Sequence, residues 1–360
     1  MRNLATIQKV INITPIEGAD RIESVRVLGW SVICKKGDFK IGDLVIYIEC
    51  DSIVPDIPIF EFMKERKFRV RTVKMKSTIS QGLCMRIDDF KIKSPRESMD
   101  VTDILNIKKY DPEGEKEARL LEQQNEIKFK RLNRFMKRYK WYRVLKLGKR
   151  KTSFPKFIKK TDEERIQRMP WVLNDEKETD FIITEKLDGT SLTVFLIKNP
   201  YKWMFWKPTL FGVCSRNIHL VRPDNSVYWR IAKKYDMENK LKSVFKGKDI
   251  IIQGEIVGAG VQDNKYGFND IYLYVFNVIF DGKRINNSEM VSFCTNNELK
   301  TVPTLENTFK LPNSLDEFIS FSNGQSSISK NLREGIVCRN YDKNISFKVI
   351  SPDFLLKYNL

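Results

Sequence analysis

Residues 181–197 read Phe181-Ile182-Ile183-Thr184-Glu185-Lys186-Leu187-Asp188-Gly189-Thr190-Ser191-Leu192-Thr193-Val194-Phe195-Leu196-Ile197. β-Branched and aromatic residues fill both ends and Asp-Gly punctuates the centre, which predicts two buried strands and a tight turn between them. A lysine and a carboxylate two residues apart occupy that turn, an arrangement that can aim an amine at a phosphate. Taken alone it is a weak signal, because Asp188-Gly189 is also what the corner of an ordinary hairpin looks like. A nucleophilic Lys186 needs its pKa lowered by burial or by neighbouring positive charge. Lys348, on the short apolar stretch Ser346-Phe347-Lys348-Val349-Ile350, is the expected second lysine, with a divalent metal assisting.

Outward from this stretch, further strand-like segments fall at 180–184, 191–197, 209–214, 249–257, 271–279, 334–339 and 345–350. Several are apolar throughout, so they are expected to be buried on both faces or to wall a cleft. Residues 153–360 thus read as a larger α+β domain. Residues 1–110 read as a small β domain: Ser24-Val25-Arg26-Val27-Leu28, Trp30-Ser31-Val32-Ile33-Cys34 and Leu44-Val45-Ile46-Tyr47-Ile48 are separated by turns at Lys36-Gly37-Asp38 and Gly42-Asp43. Five short strands of this kind suit a Greek-key barrel of the OB type. Between them, residues 111–152 form a helical and basic linker. From Lys128 to Lys151 it carries twelve Lys or Arg and no acid, interleaved with Phe129, Phe135, Tyr139, Trp141 and Tyr142. That pattern suits a grip on a phosphate backbone, although a solvated basic helix docked by its aromatics has the same composition.

The net charge of +18 over 360 residues favours a polyanionic partner, nucleic acid before an anionic membrane surface. A single histidine, His219, leaves Ser-His-Asp or Cys-His catalysis only that residue and excludes histidine-rich zinc sites. The six cysteines form no Cys-x-x-Cys pair and read as reduced core residues. No apolar run reaches the length of a membrane span, and the N-terminus lacks the build of a secretory signal. The expectation is a cytoplasmic protein.

Read in order, Lys186-Leu187-Asp188-Gly189 is followed by Ser215-Arg216-Asn217, Gln253-Gly254-Glu255-Ile256-Val257-Gly258, Ile271 to Val278 with Phe276, Arg333-Glu334-Gly335-Ile336-Val337, and the Lys348 strand. The series resembles the covalent nucleotidyltransferase superfamily of RNA ligases, DNA ligases and mRNA capping enzymes. Within it, the chain is most similar to nick-sealing RNA ligases with an N-terminal OB domain, to which the stretches Ala19-Asp20-Arg21-Ile22-Glu23, Lys36 to Pro55, Ile79 to Leu83 and Phe154 to Gln167 also correspond. The resemblance implies an α+β fold: an OB-like β-barrel followed by a nucleotidyltransferase domain of ATP-grasp-like antiparallel sheets.

It also implies a role for each matched residue. Lys186 would attack the α-phosphate of ATP to form lysyl-AMP. Asp188, Glu255 and Glu334 would hold the ribose or a hydrated Mg²⁺ or Mn²⁺. Phe276 would stack on adenine and Glu185 would read its edge. Lys348 would contact the α-phosphate, Arg216 the ribose or an RNA phosphate, and Arg165 the outgoing phosphates. AMP would pass to an RNA 5′-phosphate, and a 3′-hydroxyl would displace it. The implied partner is nicked duplex RNA or an RNA:DNA hybrid, met by a monomer without membrane contact.

In isolation each residue has a plainer reading: Glu255 and Glu334 as exposed strand-end acids, Phe276 as core, Arg216 and Lys348 as surface charges. Two positions depart from the family pattern. Asn277 stands where Asp is usual, and Ser346 stands where many relatives carry a second basic residue, for which Lys343 could compensate. Only twelve residues follow Lys348, and Thr190-Ser191 replaces the arginine usual in DNA ligases. Both features favour an RNA ligase over the alternatives: a DNA ligase, a capping-type enzyme, or a non-catalytic basic OB-fold RNA-binding protein.

Overall fold

The two strands that flank Lys186 do not pair with each other. Phe181–Lys186 lies between Gly335–Asn340 and Thr304–Phe309, both antiparallel to it. Thr190–Lys198 lies between Thr209–Cys214 and Ile250–Gly258 in a different sheet. Leu187-Asp188-Gly189 therefore crosses from one sheet to the other, and the hairpin corner is excluded. A Cβ at Gly189 would stand 2.3 Å from the Ile256 carbonyl oxygen and 2.9 Å from Glu255 Cγ, so only glycine lets the crossing chain lie against the Ile250–Gly258 strand.

In this computed structural model the described residues are 3–76, 78–111, 114, 152–199, 208–220 and 225–360. The basic stretch from Lys128 to Lys151, and with it most of the expected linker, lies outside them. Among the described residues the larger of the two sheets joined by the crossing at 187–189 has eight strands. Thr190–Lys198, Ile250–Gly258 and Ile271–Phe280 form its centre. Side chains alternate across a strand, and here both faces are apolar. Leu192, Val194 and Leu196 pack with Ile252, Val275 and the helices Val227–Lys234, Met237–Val244 and Asn287–Asn296. Phe195 and Ile197 pack with Ile158, Cys214, Ile251 and Ile279 on the other face.

The smaller sheet has five strands and buries only one face in its own core. Phe181, Ile183, Ile336, Cys338, Phe347 and Val349 pack with Phe318 of the Leu315–Ser322 helix. Their alternates, Thr184, Lys186, Val337, Arg339, Lys348 and Ile350, line a cavity that faces the larger sheet. The two-residue period of three neighbouring strands thus delivers lysines and an arginine to one wall.

Residues 5–86 build a five-stranded antiparallel sheet in the order Trp30–Lys35, Ile22–Val27, Ala5–Pro15, Leu44–Ile48, Leu83–Arg86. The chain just before the last strand returns to the first, with Gln81 N–H donating to the Ser31 carbonyl at 2.8 Å and Ile33 N–H to Ser80 Oγ at 2.9 Å. This closes the sheet toward the expected OB barrel.

The barrel docks on residues 161–168. Gly29 N–H donates to the Gln167 carbonyl at 2.9 Å. Arg168 pairs with the buried Glu49 and donates to the Asn3 carbonyl at 2.6 Å. Removing one partner of such a buried pair strands the other charge, at a cost of roughly 3–5 kcal/mol.

All six cysteines are buried and free, as expected of reduced core thiols. Burial pushes Cys50 up to about 11 and Cys214 up to about 12. His219 is half-buried against the Phe195 ring at 5.4 Å, and burial lowers its pKa. Among the described residues no helix is long and apolar enough to cross a membrane.

Candidate active site

A cavity of about 330 Å³ lies between the two sheets and the barrel. All nine residues singled out in the sequence line it: Arg165, Glu185, Lys186, Asp188, Arg216, Glu255, Phe276, Glu334 and Lys348. They come from seven separate segments, and the crossing at 187–189 is what sets Lys186 at the seam.

Lys186 Nζ donates to Glu334 Oε2 at 2.6 Å, with Glu255 and Asp188 also close enough to act on its charge. Burial alone would lower the pKa of Lys186. The negative charges of Glu334, Glu255 and Asp188 outweigh burial and raise it. This reverses the lowering expected from a nearby Lys348. Lys348 Nζ instead lies 3.7 Å from Asp162 Oδ1, while Arg216 holds Asp162 Oδ2 at 2.7 Å. Burial favours a neutral Asp162, but Lys348 and Arg216 override it and hold the carboxyl well below the usual range.

The carboxylates around Lys186 crowd one another. Burial pushes Glu255 up to about 8, opposed by Lys186 and reinforced by Glu334 and Asp188. Burial and Glu334 push Asp188 up to about 6 against the pull of Lys265. Among the described residues no three His, Cys, Asp or Glu side chains form a ready metal cage. A hydrated divalent cation that takes one or two carboxylates and completes its shell with water and phosphate oxygens fits this excess of buried negative charge.

Phe276 owes its place to a β-bulge. Gln253 pairs with Asn277 and Gly254 with Val275, so Phe276 is the extra residue, and a bulge re-aims its side chain. The Phe276 carbonyl accepts a hydrogen bond from Arg339 Nη1 at 3.1 Å, and Arg339 Nη2 reaches Glu163 at 3.2 Å. Glu185 is buried and anchored: its carboxylate accepts from Ser326 Oγ and, at 2.8 Å, from Ser327 N–H. Arg165 is buried, with Nη2 3.5 Å from Asp51 Oδ2 and with Nε and Nη1 lacking hydrogen-bond partners.

Neither departure from the family pattern is among the residues that line the cavity. Asn277 Nδ2 donates to Gln253 Oε1 at 3.0 Å, and Gln253 Nε2 donates to the Lys159 carbonyl at 3.0 Å. A neutral amide thus braces the strand that carries Phe276. The Ser346 hydroxyl is buried without a partner. Lys343 does not compensate for it, because its ammonium is held by Glu176 and Thr179.

Sequence reading missed Lys265, whose buried ammonium pairs with Asp188 and faces the Phe354 and Tyr358 rings at 5.4 and 5.3 Å. It missed Tyr266, whose hydroxyl accepts from Asp188 N–H at 2.7 Å. Both sit just after Gln262-Asp263-Asn264, three consecutive residues with left-handed backbones, which no periodic pattern marks. It also missed the barrel's share: Asp51 bridges Arg165 and Arg69 at 3.5 and 3.4 Å, and the Arg69 guanidinium lies 3.7 Å over the Tyr110 ring.

Comparison with known proteins agrees with this architecture. An OB-fold domain model matches residues 4–87, and an RNA ligase family model matches residues 179–358. The chain belongs to the RNA ligase family. It is an enzyme of phosphodiester formation, and the DNA ligase, capping and non-catalytic alternatives give way. The ligase is similar to the Naegleria gruberi RNA ligase solved with PPi, at 28% identity and a TM-score of 0.80, over 100% of this chain and 99% of that one. A variant of the Naegleria enzyme solved with ATP and Mn matches at 28% identity and 0.80 over 100% of both chains. Another, solved with AMP and Mn, matches at 28% and 0.79 over 98% of both. No curated protein matches the sequence.

Proposed function

We propose that this RNA ligase uses ATP to seal nicks in duplex RNA or RNA:DNA hybrids, as a monomeric repair enzyme of the cytoplasm. In the first step the neutral amine of Lys186 attacks the α-phosphorus of ATP. A P–N bond forms, the bond to the β-phosphate oxygen breaks, and pyrophosphate leaves. In the second, an oxygen of an RNA 5′-phosphate attacks the same phosphorus, the P–N bond breaks, and Lys186 regains a proton. In the third, a 3′-hydroxyl attacks the 5′-phosphorus, the phosphoanhydride bond to AMP breaks, AMP leaves and the hydroxyl proton passes to solvent.

The observation that carries this reading is that Lys186 shares one cavity with carboxylates on one side and cations on the other. Asp188, Glu255 and Glu334 would hold a hydrated Mg²⁺ or Mn²⁺, which supplies charge neutralisation at the transferring phosphate and favours the neutral amine. Arg165 lines the cavity and would meet the outgoing phosphates, and Lys348 and Arg216 would face the charge that develops on the α-phosphate. Phe276 gives adenine a ring to stack on, and the anchored Glu185 reads its edge.

Incubation with α-labelled ATP and Mg²⁺ tests the reading. Label is expected on the wild-type polypeptide and on neither Lys186→Ala nor Lys186→Arg, since guanidinium keeps its proton. A labelled Arg variant would remove Lys186 from the reaction. Faster joining of free single strands than of a matched nick would overturn the nick-sealing assignment.

A further inference from the structure

A second cavity, of about 420 Å³, adjoins the first and shares Lys109, Asp111, Thr161, Asp162, Ser191 and Arg216 with it. Phe154, Lys160, Thr193 and Asn217 complete its lining. Ser191 and Thr193 are alternate residues of one strand, on the face that continues into Phe195 and Ile197. Phe154 packs against that same core, and its N–H donates to the Asn217 carbonyl at 3.2 Å. Lys160 donates to Asn217 Oδ1 at 3.1 Å, with its ammonium 5.8 Å from the centre of the Phe154 ring.

We propose that this cavity holds the 5′-terminal nucleotide of the phosphate-bearing strand, its base on the Phe154 ring and its phosphate directed toward Arg216. The proposal rests on the ligase reading and adds to it a site for the second substrate. An aromatic face, two hydroxyls and flanking cations are what a terminal nucleotide drawn out of its duplex at the nick requires. The volume falls in the range of small-molecule sites. Arg216 belongs to both cavities, so a phosphate held there stands beside the phosphorus that carries AMP. Asp162 pairs with Arg216 and Lys348 at that boundary and occupies cations that a phosphate would otherwise engage. In the transfer step the new P–O bond forms across this boundary as the P–N bond to Lys186 breaks, so charge moves from one cavity toward the other without leaving the cationic wall.

The test separates charging from transfer. Enzyme is labelled with AMP, freed of ATP, and mixed with a 5′-phosphorylated nicked RNA duplex. Phe154→Leu and Lys160→Ala are expected to take up label at the wild-type rate but to pass it to RNA about tenfold more slowly, the value of one stacking contact. Phe154→Tyr should restore transfer. An abasic 5′-terminal nucleotide should bring the wild type down to the level of Phe154→Leu. Transfer at the wild-type rate by Phe154→Leu, or equal transfer of abasic and ordinary ends by the wild type, would overturn the proposal. So would equal slowing of charging and transfer, which marks a general packing defect. Should the leucine variant fold poorly, Lys160→Ala decides the matter, because it alters no core packing. Failure of the wild type to take label at all would refute the ligase reading and not this site.

Discussion

The two ends of the Lys186 cavity are built on opposite electrostatic plans. Around Lys186 the carboxylates of Asp188, Glu255 and Glu334 crowd a desolvated space, and two of them are pushed well above the usual carboxylate range. Toward the barrel, Arg165, Arg69, Arg216 and Lys348 outnumber their acidic partners Asp51 and Asp162, and Arg165 keeps two buried donors unpaired. One end is short of a cation and the other of an anion. Under the proposed function, a nucleoside triphosphate with a divalent ion would answer both at once. The contrast also explains why Lys186 carries a raised pKa here: it and Lys265 are the cations these carboxylates have at hand.

If the ends are distinct, damaging each should disturb a different parameter. Glu255→Ala is expected to slow label transfer from ATP about 100-fold or more, with the larger change in the metal concentration needed. Arg165→Ala is expected to cost about 10- to 100-fold, the value of hydrogen bonds to a charged group, chiefly as a higher half-saturating ATP concentration. Parallel titrations of metal and ATP on the two variants check this. If both variants shifted the same parameter by the same factor, the division into two ends would be wrong.

The pH dependence of adduct formation sharpens the contrast. Its carboxylates raise the pKa of Lys186 and a divalent ion held on them would offset that rise, but in either case the reactive neutral fraction grows as pH rises. The rate of label transfer should therefore climb with pH, by about tenfold per unit while the amine remains mostly protonated. At metal concentrations that keep the site filled, Glu334→Gln removes the nearest negative charge, so it should move the profile to lower pH, whatever it does to the maximum rate. Arg165→Ala should lower the curve without displacing it, because the charges that raise the Lys186 pKa are those of Glu334, Glu255 and Asp188. A displaced profile for Arg165→Ala would couple the ends that the geometry separates.

The carboxylate end was legible in the sequence and much of the arginine end was not, for physical reasons. Strands announce themselves by apolar runs, so the expected segments at 180–184, 191–197 and 271–279 agree with Phe181–Lys186, Thr190–Lys198 and Ile271–Phe280 to within two residues. Lys186, Glu255 and Lys348 ride on apolar strands of this kind, Phe181–Lys186, Ile250–Gly258 and Ile345–Ile350, and were singled out with them. What the pattern did not carry was pairing. The flanks of Asp188-Gly189 look like a hairpin whether or not they share a sheet, and only the close approach of Gly189 to Ile256 reveals the crossing. Asp51, Arg69 and Lys265 lie in turns or on two-residue strands, where no period exists to be read, and they meet the site only through contacts far apart in sequence. Phe276 was found, but its orientation depends on a bulge that shows no signal in sequence.

The smallest effect should come from loosening the arginine end from a distance. Gly29 has no role in the cavity, but a Cβ there would stand 2.6 Å from Gln167 Cα and 2.6 Å from Leu315 Cδ2. It lies directly against the backbone of Gln167, in the segment carrying Arg165. Gly29→Ala must push the two apart, an overpacking expected to cost about 1–3 kcal/mol of stability, to be read by thermal or urea denaturation. Asp51 would then hold Arg165 less well, and the half-saturating ATP concentration should rise by less than Arg165→Ala produces. The metal requirement should stay where it was, because Gly189 and the crossing it permits are untouched. A variant equally destabilised but altered in its metal requirement would show that the barrel supports the carboxylate end too, and that the two ends share one scaffold after all.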